Sequence, residues 1–217
     1  MHLPKLHYIS QGATAKEQLK NIQSACTAGA ELVQLRLKNL TNKEVLKAAE
    51  EAREITGHFQ TRLIINDYYK VAKKVKADGV HLGKNDADPV IARAVLDSWQ
   101  IIGGTANTIQ DCEALIQKKV DYIGLGPFRH TNTKEKLSPI LGHNGYLAIL
   151  EALQTTTPII AIGGITARDI SELLTTGVYG IAASGALTKD FNTIRIFNKL
   201  LKNEDELKEQ LWKTNQQ

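Results

Sequence analysis

Eight short β-rich runs alternate with longer amphipathic segments along the whole chain, at a spacing of roughly 25 residues. That is the length of one strand–helix unit. Parallel strands need a long crossover, and a helix is the usual one, so the pattern predicts a parallel sheet. The expected strands are Leu6–Ser10, Leu32–Leu37, Arg62–Asp67, Gly79–Gly83, Ile101–Ala106, Tyr122–Phe128, Pro158–Gly164 and Gly180–Leu187. Helical spacing is read in Lys16–Ala30, where Leu19, Ile22, Cys26 and Ala30 share a face, and in Asn42–Thr56, with Val45, Ala48, Ala49, Ala52 and Ile55. It is read again in Asp88–Asp97, Ile109–Lys119, Gly145–Gln154, Ala167–Thr176 and Asn192–Lys202.

The strands carry near-continuous apolar runs such as Leu63-Ile64-Ile65 and Ile159-Ile160-Ala161-Ile162. Strands covered on both faces need such runs. The count of eight favours a closed (β/α)8 TIM barrel over an open doubly wound sheet. In 217 residues its loops must be lean. The whole chain, residues 1–217, is expected to be a single barrel domain, with 204–217 a polar tail.

Composition narrows the function classes. A formal charge of +4, spread evenly and without a basic block interleaved with aromatics, gives no footprint for nucleic acid. No segment approaches membrane-spanning length and Met1 to Ile9 holds no apolar run of signal length, so no membrane partner is expected and the cytoplasm is the expected compartment. Cys26 and Cys112 match neither a metal spacing nor a disulfide framework and read as reduced core thiols.

A barrel makes a positional prediction: ligand-binding residues stand at the C-terminal ends of its strands or just beyond. Strand two ends in Gln34-Leu-Arg-Leu-Lys38. Alternation sends Leu35 and Leu37 toward the helices, and Gln34, Arg36 and Lys38 inward. Inward cations need an anion, and Arg suits bidentate contact with phosphate. Internal ion pairing is the structural alternative.

Strand three ends in Asn66-Asp67, and Asn85-Asp86 follows strand four. Two carboxylates after adjacent strands can share one magnesium, though each alone could cap a helix. The loop after strand six carries Thr131-Asn132-Thr133-Lys134, an anion-binding composition. Gly163-Gly164 and Ser184-Gly185 end strands seven and eight, the usual phosphate sector of such barrels. His81, inside strand four, reads as a core-filling residue. His130 is placed to touch a substrate, and His2, His7, His58 and His143 read as incidental. No Ser–His–Asp arrangement is evident.

The ordered set Gln34-Leu-Arg-Leu-Lys38, Asn66-Asp67, Asp78-Gly-Val-His-Leu-Gly83 with Asp86, Asp121-Tyr-Ile-Gly-Leu-Gly-Pro127, Thr131-Asn-Thr-Lys134 and Ala161-Ile-Gly-Gly-Ile165 resembles the thiamine phosphate synthase family over nearly the whole chain. The resemblance implies a transferase that condenses 4-amino-2-methyl-5-pyrimidinylmethyl diphosphate with a thiazole phosphate and releases pyrophosphate by a dissociative mechanism. It implies that Gln34, Arg36, Lys38, Asn66, Thr105 and Lys134 hold the pyrimidine diphosphate, with Arg36, Lys38, Thr105 and Lys134 catalytic. Thr131, Asn132, Thr133, Gly164, Ser184 and Gly185 would hold the thiazole phosphate, and Asp67 and Asp86 would bind Mg2+.

Two positions depart from the family pattern: Lys84 stands where Gln is common, and Gly104-Thr105-Ala106-Asn107 replaces a Ser-Ala pair, Thr105 keeping the hydroxyl. The implied partners are small phosphorylated heterocycles, with a homo-oligomer compatible. Two other readings stand beside this one: a thiazole tautomerase-like paralogue, and a non-catalytic phosphate-ligand sensor on the same barrel.

Overall fold

A computed structural model describes residues 3–130 and 139–202. Eight parallel strands, β1 (Leu6–Ile9), β2 (Leu32–Leu35), β3 (Arg62–Asn66), β4 (Gly79–Leu82), β5 (Ile101–Ala106), β6 (Tyr122–Leu125), β7 (Ile159–Ile162) and β8 (Gly180–Ala183), close in sequence order into a barrel. The closure is β8 on β1, with Leu6 opposite Ile181 and Tyr8 opposite Ala183. The TIM barrel expected from the alternation is the fold.

Alternation along each strand divides the apolar residues between two cores. Ile9, Leu32, Ile64, Ile101, Tyr122, Ile160 and Ala182 fill the barrel with Leu3 below them. Their neighbours, among them Tyr8, Val33, Leu35, Leu63, Ile65, Val80 and Ile123, belong to the layer beneath the helices. The helices are α1 (Ala15–Thr27), α2 (Asn42–His58), α3 (Tyr69–Lys74), α4 (Pro89–Val95), α5 (Ile109–Gln117), α6 (Gly142–Leu153), α7 (Ile170–Thr175) and α8 (Gly185–Lys189), with a further helix from 193 to 202. Sequence-local chemistry sets several of their starts. Thr41 with Glu44 and Thr108 with Asp111 form capping boxes on α2 and α5, and Asp88 accepts from the Val90 N–H ahead of Pro89 in α4.

Several expected strands were too long. β2 stops at Leu35, so Arg36, Leu37 and Lys38 form an extended segment beyond it. β6 ends at Leu125 and β7 at Ile162. Gly163 and Gly164 have φ of 99° and 69°, a left-handed backbone that cannot continue a strand. β8 ends at Ala183 because Gly185 already opens α8. The structure also adds α3, whose six residues are too few to reveal a helical period.

The N-terminal rim is closed by a device used twice. Asp78, just before β4, accepts from the Leu63 N–H and from Arg53 of α2, both at 2.8 Å. Asp121, just before β6, accepts from the Ile102 N–H at 2.6 Å and from Arg93 of α4 at 2.5 Å. Each aspartate thereby ties two strands to one helix. Both cysteines are buried and unpaired, and burial pushes the thiols up, that of Cys112 to about 11. Among the described residues no helix is long and apolar enough to cross a membrane.

Candidate active site

The described candidate residues all stand at one end of the barrel, in the final residues of a strand or directly after it. Gln34 is buried within β2. Arg36 is half-buried beyond the strand and Lys38 is exposed. The Arg36 backbone is fixed from a neighbouring strand end: its N–H donates to Ser10 Oγ at 3.0 Å, and Ser10 in turn donates to Gln18 Oε1 of α1 at 2.6 Å. Burial lowers the Arg36 guanidinium from its ordinary value, and the opposing charge of Asp86 holds it up.

Asp67 follows Asn66 with a left-handed φ of 68° and donates its N–H to the His81 carbonyl at 2.9 Å. Asp86 folds back on its own turn, Oδ2 accepting from the Gly83 N–H at 2.6 Å. Neither carboxylate caps a helix. α3 has Tyr68 at its N-cap without a side-chain bond, and α4 is capped by Asp88. Burial, and then the nearby charge of Asp86, raise Asp67 above the usual carboxylate range. Asp86 therefore interacts with both Arg36 and Asp67, which puts the three in one sector of the rim.

Among the described residues no three His, Cys, Asp or Glu gather as a ready metal cage. Two carboxylates that repel each other suit magnesium, which takes few protein ligands and completes its shell with phosphate oxygens and water. Lys84 has a partner of its own: its Nζ lies 2.5 Å from Asp111 Oδ2, at the start of α5.

Thr105, near the end of β5, is half-buried, with Oγ1 2.9 Å from His81 Nε2. In the opposite sector Gly163 and Gly164 turn the chain, and Ser184 Oγ donates to Gln11 Oε1 at 3.0 Å. Arg129 braces that sector, pairing bidentately with Asp169 at 2.8 and 2.7 Å. Asp169 also accepts from the Thr166 N–H and hydroxyl. Thr131, Asn132, Thr133 and Lys134 lie outside the described residues.

Four supporting residues were missed from sequence. Ser10, Gln11, Arg129 and Asp169 hold the site residues without belonging to any recognisable motif. For Ser10 and Gln11 the available signal was their position, polar residues directly after a strand at the expected rim.

The model of the thiamine monophosphate synthase family matches residues 6–187. The chain belongs to this family. This chain is 47% identical over 188 residues to the thiamine-phosphate synthase of Flavobacterium johnsoniae, covering 85% of this chain and 89% of that one. It is 44% identical to that of Flavobacterium psychrophilum, covering 91% and 98%. Among solved structures it is similar to thiamine phosphate pyrophosphorylase from Pyrococcus furiosus, with a TM-score of 0.77 at 28% identity, over 92% of this chain and 94% of that one. The chain is thus a transferase of thiamine biosynthesis.

Proposed function

We propose that this chain acts as a single-domain enzyme that joins 4-amino-2-methyl-5-pyrimidinylmethyl diphosphate to a thiazole phosphate, giving thiamine phosphate and pyrophosphate. The observation that carries the reading is the grouping of half-buried Arg36 with Asp67 and Asp86 on one sector of the rim. A non-catalytic sensor of a monophosphate has no need of paired carboxylates there.

In this reading the C–O bond to the diphosphate breaks with its electron pair passing to the departing oxygen. The amino group of the pyrimidine ring stabilises the resulting cation, and the thiazole nitrogen supplies the pair for the new C–N bond. No side-chain nucleophile is required. Arg36, Lys38 and Lys134 offset the charge that develops on the leaving group, with Gln34, Asn66 and Thr105 orienting it. Asp67 and Asp86 would hold Mg2+, which when bound adds positive charge beside the leaving diphosphate. Thr131, Asn132 and Thr133, with Gly164, Ser184 and Gly185, would seat the thiazole phosphate. Its charge does not change in the reaction, so that sector needs only to bind.

The test is incubation with both substrates and magnesium, with thiamine phosphate and pyrophosphate measured separately. Both should form together and neither should form with chelator present. Isomerisation of the thiazole without pyrophosphate would establish the tautomerase-like reading instead.

A further inference from the structure

A column of buried polar rings rises through the barrel to the rim. At its base His7 is fully enclosed, its Nε2 3.0 Å from the Pro4 carbonyl, and burial holds it neutral with a value lowered to about 3. Its ring meets Tyr122 edge-on at 5.1 Å. The Tyr122 hydroxyl lies 3.1 Å from His81 Nδ1, and His81 Nε2 lies 2.9 Å from Thr105 Oγ1. Tyr122 is 1% exposed and His81 7%.

Two glycines make the space. A methyl carbon on Gly103, opposite Tyr122 in the sheet, would sit 2.1 Å from Tyr122 Cζ, and one on Gly124 would sit 3.1 Å from His81 Cε1. The barrel wall is therefore shaped around these two rings.

Hydrogen-bond accounting orients the chain of protons. The Tyr122 phenol is fully enclosed, and burial raises its ionisation far above the ordinary value, so it keeps its proton. An enclosed hydroxyl proton needs an acceptor, and among the described residues the one polar partner of this hydroxyl is His81 Nδ1. Tyr122 donating to Nδ1 places the imidazole proton on Nε2. Nε2–H then donates to Thr105 Oγ1, which occupies that oxygen as an acceptor and leaves the threonine proton to be given elsewhere. The opposite sense would strand the tyrosine proton and aim threonine lone pairs at the rim.

We propose that His81, held by Tyr122, is a positioning residue that fixes Thr105 as a hydrogen-bond donor to the diphosphate of the pyrimidine substrate. The proposal rests on the assignment of Thr105 to that diphosphate. His81 touches no reacting atom. It sets the sense of a hydrogen bond that an anion receives from Thr105, and a hydroxyl turned the other way would repel the anion.

Two measurements test this. Nitrogen-15 NMR of the magnesium-loaded protein, with inorganic pyrophosphate as probe, should show His81 protonated at Nε2 and bare at Nδ1. The Nδ1-protonated tautomer would overturn the proposal, and this readout needs no variant. Steady-state kinetics then use Tyr122→Phe, which keeps the ring and removes only the hydroxyl, in the native and Thr105→Ala backgrounds. Tyr122→Phe should lower kcat/KM for the pyrimidine diphosphate about tenfold, with the KM for thiazole phosphate unchanged. In the Thr105→Ala background it should have almost no further effect. An undiminished effect in that background, or no effect in the native one, refutes the relay. If Thr105→Ala alone leaves the pyrimidine kinetics unchanged while the NMR tautomer is as stated, the diphosphate assignment of Thr105 fails, and the proposed role falls with it.

Discussion

Asp67 and Asp86 stand after adjacent strands with like charges close enough to raise Asp67 above the usual carboxylate range, beyond what burial alone does. A cation between them relieves that cost, and without one the protein carries it as destabilisation. Asp67→Asn should therefore raise the Tm of the metal-free protein, by about 1–3 °C, while abolishing magnesium-dependent turnover. Asparagine tolerates the left-handed backbone at this position, so the substitution isolates charge from conformation. Calorimetry with and without magnesium checks it; wild-type turnover at limiting metal would remove Asp67 from the metal site.

Lys84 pairs with Asp111, at the start of α5. Lys84→Gln, which installs the residue common in the family, should leave kcat and the half-saturating magnesium concentration within about twofold, and lower stability by less than ~1 kcal/mol. A large shift in magnesium dependence would place the ammonium in the site after all.

Arg129 and Asp169 join the end of β6 to the turn after β7. Despite its burial, Asp169 is held below the usual range by Arg129 and by Thr166. A lowered folded-state value means that this stabilisation is present above the ordinary aspartate range and is lost as pH falls through the folded value. Arg129→Ala should cost about 1–2 kcal/mol at neutral pH, discounted for a half-exposed guanidinium. It should also weaken the acid dependence of the urea midpoint. Parallel pH profiles for the two proteins would contradict this.

Gly164 combines a left-handed φ of 69° with the Arg129 side chain, whose Cγ would lie 2.4 Å from an added methyl. Gly164→Ala should therefore displace Arg129 as well as strain the turn, at a cost of about 1–3 kcal/mol. Turnover should show it mainly as a higher KM for thiazole phosphate, with kcat less affected. A selective effect on the pyrimidine substrate would mean that the two phosphate sectors are exchanged.

The barrel was legible in the sequence because hydrophobic alternation is local and repeats eight times. Strand ends were less so. Leu187 prolongs an apolar run yet lies in a helix, and nothing local distinguishes the two. Among the candidate residues, those carried by contiguous motifs, such as Arg36 and Asp67, could be named. Those that act across the barrel could not. His81 was correctly expected to be buried, but its polar partner Tyr122 is 41 residues away. Asp169 lies 40 residues from Arg129. Pairings of that reach are set by register and closure, which a single sequence does not display.

The two aspartate clamps, Asp78 with Arg53 and Leu63, and Asp121 with Arg93 and Ile102, sit on the rim remote from the site residues. Each is satisfied within its own pair of strands and one helix, with no ligand required. Emptying the candidate site of its ligands therefore removes nothing from them, and openings of the ligand-free protein should stay local to the loops of the other rim. Amide exchange should register that as two tiers: fast and ligand-sensitive beyond the strand ends, slow and ligand-indifferent at Leu63 and Ile102, whose N–H groups the clamps hold.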